Sequence, residues 1–139
     1  MIIHSEQEML DYGEQFAKKL STPTVIELIG DVGAGKTTFV RGLAKGLGVK
    51  DPITSPSFTI SKQYALPNSK RLVHYDFYRL PDPGLMSEDL QENLTDKNTI
   101  TIIEWSDSVS NLLPKDRVII NIEYNEDGSR NLKPIFYEH

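Results

Sequence analysis

Residues 25–38, Val25-Ile26-Glu27-Leu28-Ile29-Gly30-Asp31-Val32-Gly33-Ala34-Gly35-Lys36-Thr37-Thr38, decide how this chain folds. The first five, mostly apolar, read as a short strand. The glycine loop that follows matches G-x-x-x-x-G-K-[ST] at Gly30, Gly35, Lys36 and Thr37. Beyond it, Phe39, Val40, Leu43, Ala44 and Leu47 give a helix with one apolar stripe, ended by Gly48. Each residue type in the loop has a physical reason. The glycines let backbone N–H groups turn inward, where with the positive end of the helix they bind phosphate oxygens. Lys36 adds a mobile cation worth about 4 kcal/mol per unit anion at ~4 Å in an effective dielectric of ~20. Thr37 offers a hydroxyl to Mg²⁺. With glycine usage near ~7%, so sparse a pattern arises by chance on the order of once in a few hundred chains this short, and the strand-loop-helix context sets this match apart. Nucleotide contacts are expected from Asp31, Gly33, Ala34, Gly35, Lys36, Thr37 and Thr38.

Outward from the loop, Ser5-Glu6-Gln7-Glu8 has the form of a capping box, and Met9, Tyr12, Phe16 and Leu20 recur on one face of a helix of about four turns. Phe58–Ala65 and Arg71–Phe77 read as strands joined by Leu66-Pro67-Asn68-Ser69, a link too short for a parallel crossover and therefore a hairpin. A helix is expected near Leu85–Leu94. Thr99-Ile100-Thr101-Ile102-Ile103 is a β-branched strand ending at Glu104-Trp105, and Arg117–Tyr124 is another, followed by an Asn125–Gly128 turn and a last strand. The expected fold is α/β: a P-loop NTPase-like, three-layer domain over residues 1–139, with a mixed sheet flanked by helices and antiparallel hairpins.

Composition removes several classes. The chain has 139 residues and no cysteine, so disulfides and thiolate metal sites are excluded, and His4, His74 and His139 form no ligand-spaced pair. No apolar run nears the roughly 20 residues that span a bilayer, and the first residues lack a signal-peptide pattern, so a cytoplasmic protein is expected. A net charge of −5 disfavours independent RNA binding, which needs a broad field of Lys and Arg.

The base-reading N-K-x-D and switch D-x-x-G segments of Ras-like GTPases are absent from the sequence, which points to ATP. Arg41, Arg71, Arg79, Arg117 and Arg130 are dispersed, with no arginine-rich lid of the kind small-molecule kinases use. A kinase and a nucleotide-gated binding module remain the alternatives to an ATPase.

Three further segments stand at characteristic places: Thr54-Ser55-Pro56-Ser57-Phe58-Thr59, His74-Tyr75-Asp76-Phe77-Tyr78-Arg79-Leu80 and Ile102-Ile103-Glu104-Trp105. With the loop, in this order and spacing, they resemble the bacterial TsaE family. The resemblance implies an ATPase that assists TsaD and TsaB in making threonylcarbamoyladenosine beside the anticodon of tRNAs reading codons that begin with A. It implies contact with tRNA only through that complex. Two positions depart from the family pattern: Ser57 stands where Thr is usual, and Ser106 follows Trp105 where Pro is common.

Strand alternation places His74, Asp76 and Tyr78 on one face and Tyr75, Phe77 and Arg79 on the other. Asp76, a carboxylate at a strand end beside the loop, suits Mg²⁺, a role the resemblance supports; an ordinary strand aspartate is the alternative. Glu104 ends a strand where open α/β sheets place ligands, and it is expected to orient water or the metal shell. Trp105 reads either as a nucleotide contact or as core. His74 reads as a hydrogen-bonded structural histidine rather than a catalyst, Tyr78 equally as a site residue or as packing, and Arg79 as a phosphate clamp, an ion pair with a partner or a surface charge. Thr54–Thr59 has the make-up of a switch loop or of a proline-marked turn. The expected catalytic set is Lys36, Asp76 and Glu104, and the expected Mg²⁺ set is Thr37, Asp76 and Glu104.

Overall fold

A computed structural model of the chain describes residues 1–31, 35–54, 56, 60–78 and 84–136. Ser5 caps α1 (Glu6–Ala17), its hydroxyl oxygen accepting from the Glu8 N–H at 3.1 Å. Glu8 reaches back one residue further than a capping box requires and accepts from the His4 N–H at 3.0 Å. The regular helix stops at Ala17 rather than near Leu20. Lys19 and Leu20 donate instead to the carbonyls of Phe16 and Ala17, three residues back, at 3.0 and 3.1 Å, the tighter turn that satisfies a helix end. Leu20 still packs on the core.

The loop helix, α2 (Lys36–Leu47), ends at Gly48, whose φ of 98° is the left-handed conformation glycine adopts without strain. α1 lies on α2 backbone to backbone: a Cβ on Gly13 would sit 2.5 Å from the Phe39 carbonyl oxygen, and one on Gly42 would strike the Leu10 carbonyl.

The described strands form one sheet of seven. In order these are β1 (Ile2–Ile3), β7 (Arg130–Phe136), β6 (Val118–Tyr124), β2 (Thr24–Gly30), β5 (Thr99–Glu104), β4 (Arg71–Asp76) and β3 (Ser61–Ala65). β6, β2, β5 and β4 run parallel; β3 and β7 run opposite to them, and β1, antiparallel to β7, runs in the direction of the four. The expected hairpin is β3–β4, with Tyr64 opposite Leu72; its first strand begins at Ser61, and Phe58 and Thr59, expected within it, lie outside the described residues. Alternation sorts the strand residues onto two cores. Ile26, Leu28, Ile102 and Ile120 face α1 and α2, and Val25, Val73, Tyr75 and Ile103 face Leu90 of α3 (Leu85–Thr95). The outcome is the expected three-layer α/β fold with β2, the strand that feeds the glycine loop, at the centre of the parallel set. No helix of the described residues is long and apolar enough to cross a membrane.

Candidate functional site

Three strands of the parallel set deliver the site at their carboxyl ends. β2 runs out at Gly30, β4 at Asp76 and β5 at Glu104, and Asp76 and Glu104 are register partners on neighbouring strands. Both carboxylates are buried, at 6% and 3% exposure, although strand ends usually face water.

Gly35 stands before α2 with a φ of 103°, so the chain enters the helix through a conformation closed to most residues. Lys36 is 7% exposed and folds back over the loop. Its ammonium donates to the Gly30 carbonyl at 2.6 Å, lies 3.8 Å from Glu104 Oε1 and stands 4.2 Å above the centre of the Trp105 ring. Burial pushes the Lys36 pKa below its usual value, opposed by the negative charges of Glu104, Asp76 and Asp31. The two effects are of similar size: a unit pair at ~4 Å is worth about 4 kcal/mol at an effective dielectric of ~20, comparable with the several kcal/mol that desolvating each ion costs.

Glu104 is held by both oxygens. Oε1 faces Lys36, and Oε2 is 2.5 Å from Nε2 of His74, which is fully buried on β4. Asp76 Oδ1 accepts from the Tyr78 N–H at 2.9 Å, and the Asp76 N–H donates to the Ile60 carbonyl at 2.8 Å. Trp105 leaves the strand at a φ of 53°, a left-handed conformation uncommon for a bulky residue, and its ring meets that of Tyr78 at 4.7 Å between centroids. Strain of this kind concentrates at functional sites.

Thr37 and Thr38 lie half-buried in the first turn of α2, and Asp31 is exposed. Gly33 and Ala34 of the loop, Arg79, and Ser55 and Ser57–Thr59 of the expected switch lie outside the described residues. The expected face assignment holds along β4: His74 turns to Glu104, and Tyr75 and Phe77 stack on the opposite side at 5.6 Å.

Glu27 and Arg117 were not singled out by the sequence, and Ser106 only as a departure from the family pattern. Glu27, buried in mid-β2, accepts from the Arg117 guanidinium at 3.0 Å and from the Ser106 hydroxyl. Ser106 opens a 3-10 helix, Ser106–Leu112, that follows Trp105 directly. The serine that replaces the family's common proline therefore makes a bond that proline lacks the atoms to make. Its only signal in the sequence was the departure itself. Beside the loop a cleft of about 550 Å³ opens, lined by Gly30, Asp31, Trp105, Asp107, Asn121 and Tyr124 among others.

A central parallel strand running through a G-x-x-x-x-G-K-T loop into a helix, with two buried carboxylates at adjacent strand ends, defines a P-loop α/β protein. The family model described as "Threonylcarbamoyl adenosine biosynthesis protein TsaE" matches residues 3–132, and the chain belongs to that family. It is 36% identical over 138 residues to the tRNA threonylcarbamoyladenosine biosynthesis protein TsaE of Haemophilus influenzae, covering 96% of this chain and 86% of that one. It is 37% identical to the protein of the same name from Aquifex aeolicus, covering 96% and 92%. The crystal structure of Bacillus subtilis YdiB superposes with a TM-score of 0.77 at 31% identity, covering 95% of this chain and 80% of YdiB.

Proposed function

We propose that residues 1–139 form one Mg²⁺-dependent ATPase domain that acts in the cytoplasm, assisting TsaD and TsaB in forming threonylcarbamoyladenosine in tRNA. The pathway follows from the relatives' names, which are those of tRNA threonylcarbamoyladenosine biosynthesis proteins. The observation that carries the chemistry is the meeting of Lys36 with Glu104, beside Asp76, at the mouth of the glycine loop.

In this reading the loop amides and Lys36 bind the phosphates of ATP. For Lys36 this means exchanging the Gly30 carbonyl for phosphate oxygens, a stronger, charge-assisted partner. Thr37, Asp76 and Glu104 would hold Mg²⁺. The donor set fits: all are hard oxygens, and Mg²⁺ is bound through one or two carboxylates with substrate phosphates and water rather than by a full protein cage. Bound there, the ion supplies charge neutralisation on the phosphates. Glu104 orients the attacking water, the Asp76 carboxylate stays buried beside it, and Trp105 shields the ammonium from solvent on its open side. Hydrolysis then rests on positioning and electrostatics. Among the described residues Arg71 and Arg117 are engaged away from the loop, with Asp96 and Glu27, so turnover is slow alone and rises with TsaD and TsaB. tRNA is met only through that complex.

The test is phosphate release and tRNA modification with purified TsaD and TsaB. Lys36→Ala and Asp76→Ala are each expected to lower the stimulated rate by roughly 10²-fold or more, the scale of losing one transition-state charge contact. Rapid turnover that the partners leave unchanged, or a phosphorylated small-molecule acceptor in place of free phosphate, would overturn the reading.

A further inference from the structure

We propose that His74 is the positioning residue for Glu104: it takes one carboxylate oxygen out of play and aims the other at the phosphate loop. The inference rests on the reading of Glu104 as part of the ATPase site and assigns a function to a residue that reading leaves idle.

His74 is 0% exposed, and its Nε2 lies 2.5 Å from Glu104 Oε2. A carboxylate only accepts, so the hydrogen is assigned to Nε2. The other ring nitrogen, Nδ1, is buried with no hydrogen-bond partner among the described residues. A histidine retained for packing alone would leave two polar atoms to be satisfied; this one leaves an orphan in order to make a single contact, and that contact is with the residue at the site. The consequence for Glu104 is geometric. With Oε2 engaged inside the sheet, only Oε1 faces outward, and that is the oxygen 3.8 Å from the Lys36 ammonium. Glu104 is also 3% exposed, so water does not replace the imidazole as its second partner. Without His74 the carboxylate is free to rotate about its last bond and to pair with Lys36 through either oxygen, which draws it away from a fixed place for water.

The experiment compares His74→Gln and His74→Met, side chains of similar length and volume. Only glutamine carries a donor that reaches the Nε2 position. With TsaD, TsaB, ATP and Mg²⁺, His74→Met is expected to lower kcat at least ~10-fold while KM for ATP moves less than ~3-fold, and His74→Gln to recover most of kcat, the scale seen when an orienting partner is lost. A second readout needs neither nucleotide nor turnover. His74→Met leaves a buried carboxylate oxygen unpaired, so it is expected to lower the urea midpoint more in the wild-type background than in Glu104→Gln, a comparison in which the Lys36 pair is unchanged within each background. Equal kcat for the glutamine and methionine variants, or the same fall in urea midpoint on His74→Met in both backgrounds, would overturn the assignment. If the wild-type protein releases no phosphate with its partners, the ATPase reading fails, and the urea comparison still decides whether His74 fixes Glu104.

Discussion

Ser106 and Glu27 meet across 79 positions of sequence, and Arg117 reaches the same carboxylate from 90 positions away. The three tie the middle of the central strand to the turn that carries Trp105 and to the entry of β6. Arg117 is the outermost member, 23% exposed at its side chain, whereas Glu27 and Ser106 are buried. Ser106→Ala removes one partner of a largely buried carboxylate oxygen. The expected loss is about 1.5–3 kcal/mol, the range for hydrogen bonds to charged groups, measured by urea unfolding at pH 7. Ser106→Thr keeps the hydroxyl and is expected to retain most of the stability. A change below roughly 0.5 kcal/mol for the alanine variant, the ordinary range of a surface substitution, would show that the bond contributes nothing net.

Among the elements, α3 is tied to β4 by a chain of polar contacts. Arg71 at the start of β4 binds Asp96 at 3.0 Å and Asn93 at 2.5 Å; Asn93 donates to the Tyr75 hydroxyl at 2.6 Å, and that hydroxyl donates to Asp89 at 2.5 Å. Burial, followed by the Asp89 carboxylate, pushes the Tyr75 hydroxyl well above its usual pKa and keeps it a donor at every ordinary pH. Asp96 closes the chain after the helix, and its carboxyl is held below the ordinary 3.8, first by the Asn98 N–H at 2.8 Å and then by Arg71. A depressed carboxyl stabilises the fold above its unfolded pKa, and the contribution disappears as pH falls through the folded value. Asp96→Asn is therefore expected to be less stable than wild type at pH 7, with the gap narrowing below pH 3.8; a gap constant with pH in urea titrations would contradict it. Little of this network is legible in the sequence, because Arg71 and Asp96 are 25 positions apart and only the β4–β5 register brings them together. The apolar periodicities of α1 and α2 are local and predict those helices directly. The 3-10 helix at Ser106–Leu112 has no such period, and Ile2–Ile3 is too short to signal a strand until β7 lies beside it.

Across the whole molecule, β2 lies between the two cores, with Ile26 and Leu28 in one and Val25 in the other. β2, the strand that carries Gly30, is bonded to a parallel strand on each side, β5 and β6, just as β5 is bonded to β2 and β4. Glu104 and Asp76 were legible as strand-end acids, since an apolar run that stops at a carboxylate carries its own signal. Their burial, and the fact that Lys36 occupies the space between loop and strand end, came from the packing of β4 and β5 beneath α2. A ligand bound at this junction contacts the loop, the first turn of α2 and two strand ends together, and binding to the folded state alone stabilises the entire domain by mass action. ATP with Mg²⁺ at ~100 times its Kd is expected to add about 2.7 kcal/mol, which at ~3 °C per kcal/mol for a chain of this size raises Tm by about 8 °C. Lys36→Ala should lose most of that shift, because the cation proposed to meet the phosphates is gone while the two carboxylates remain. GTP at the same concentration should give a smaller rise, as no N-K-x-D segment is present to read guanine. Thermal unfolding followed by Trp105, the single tryptophan, measures all three. Equal shifts with ATP and GTP would refute the base preference, and an undiminished shift in Lys36→Ala would remove Lys36 from the phosphate site.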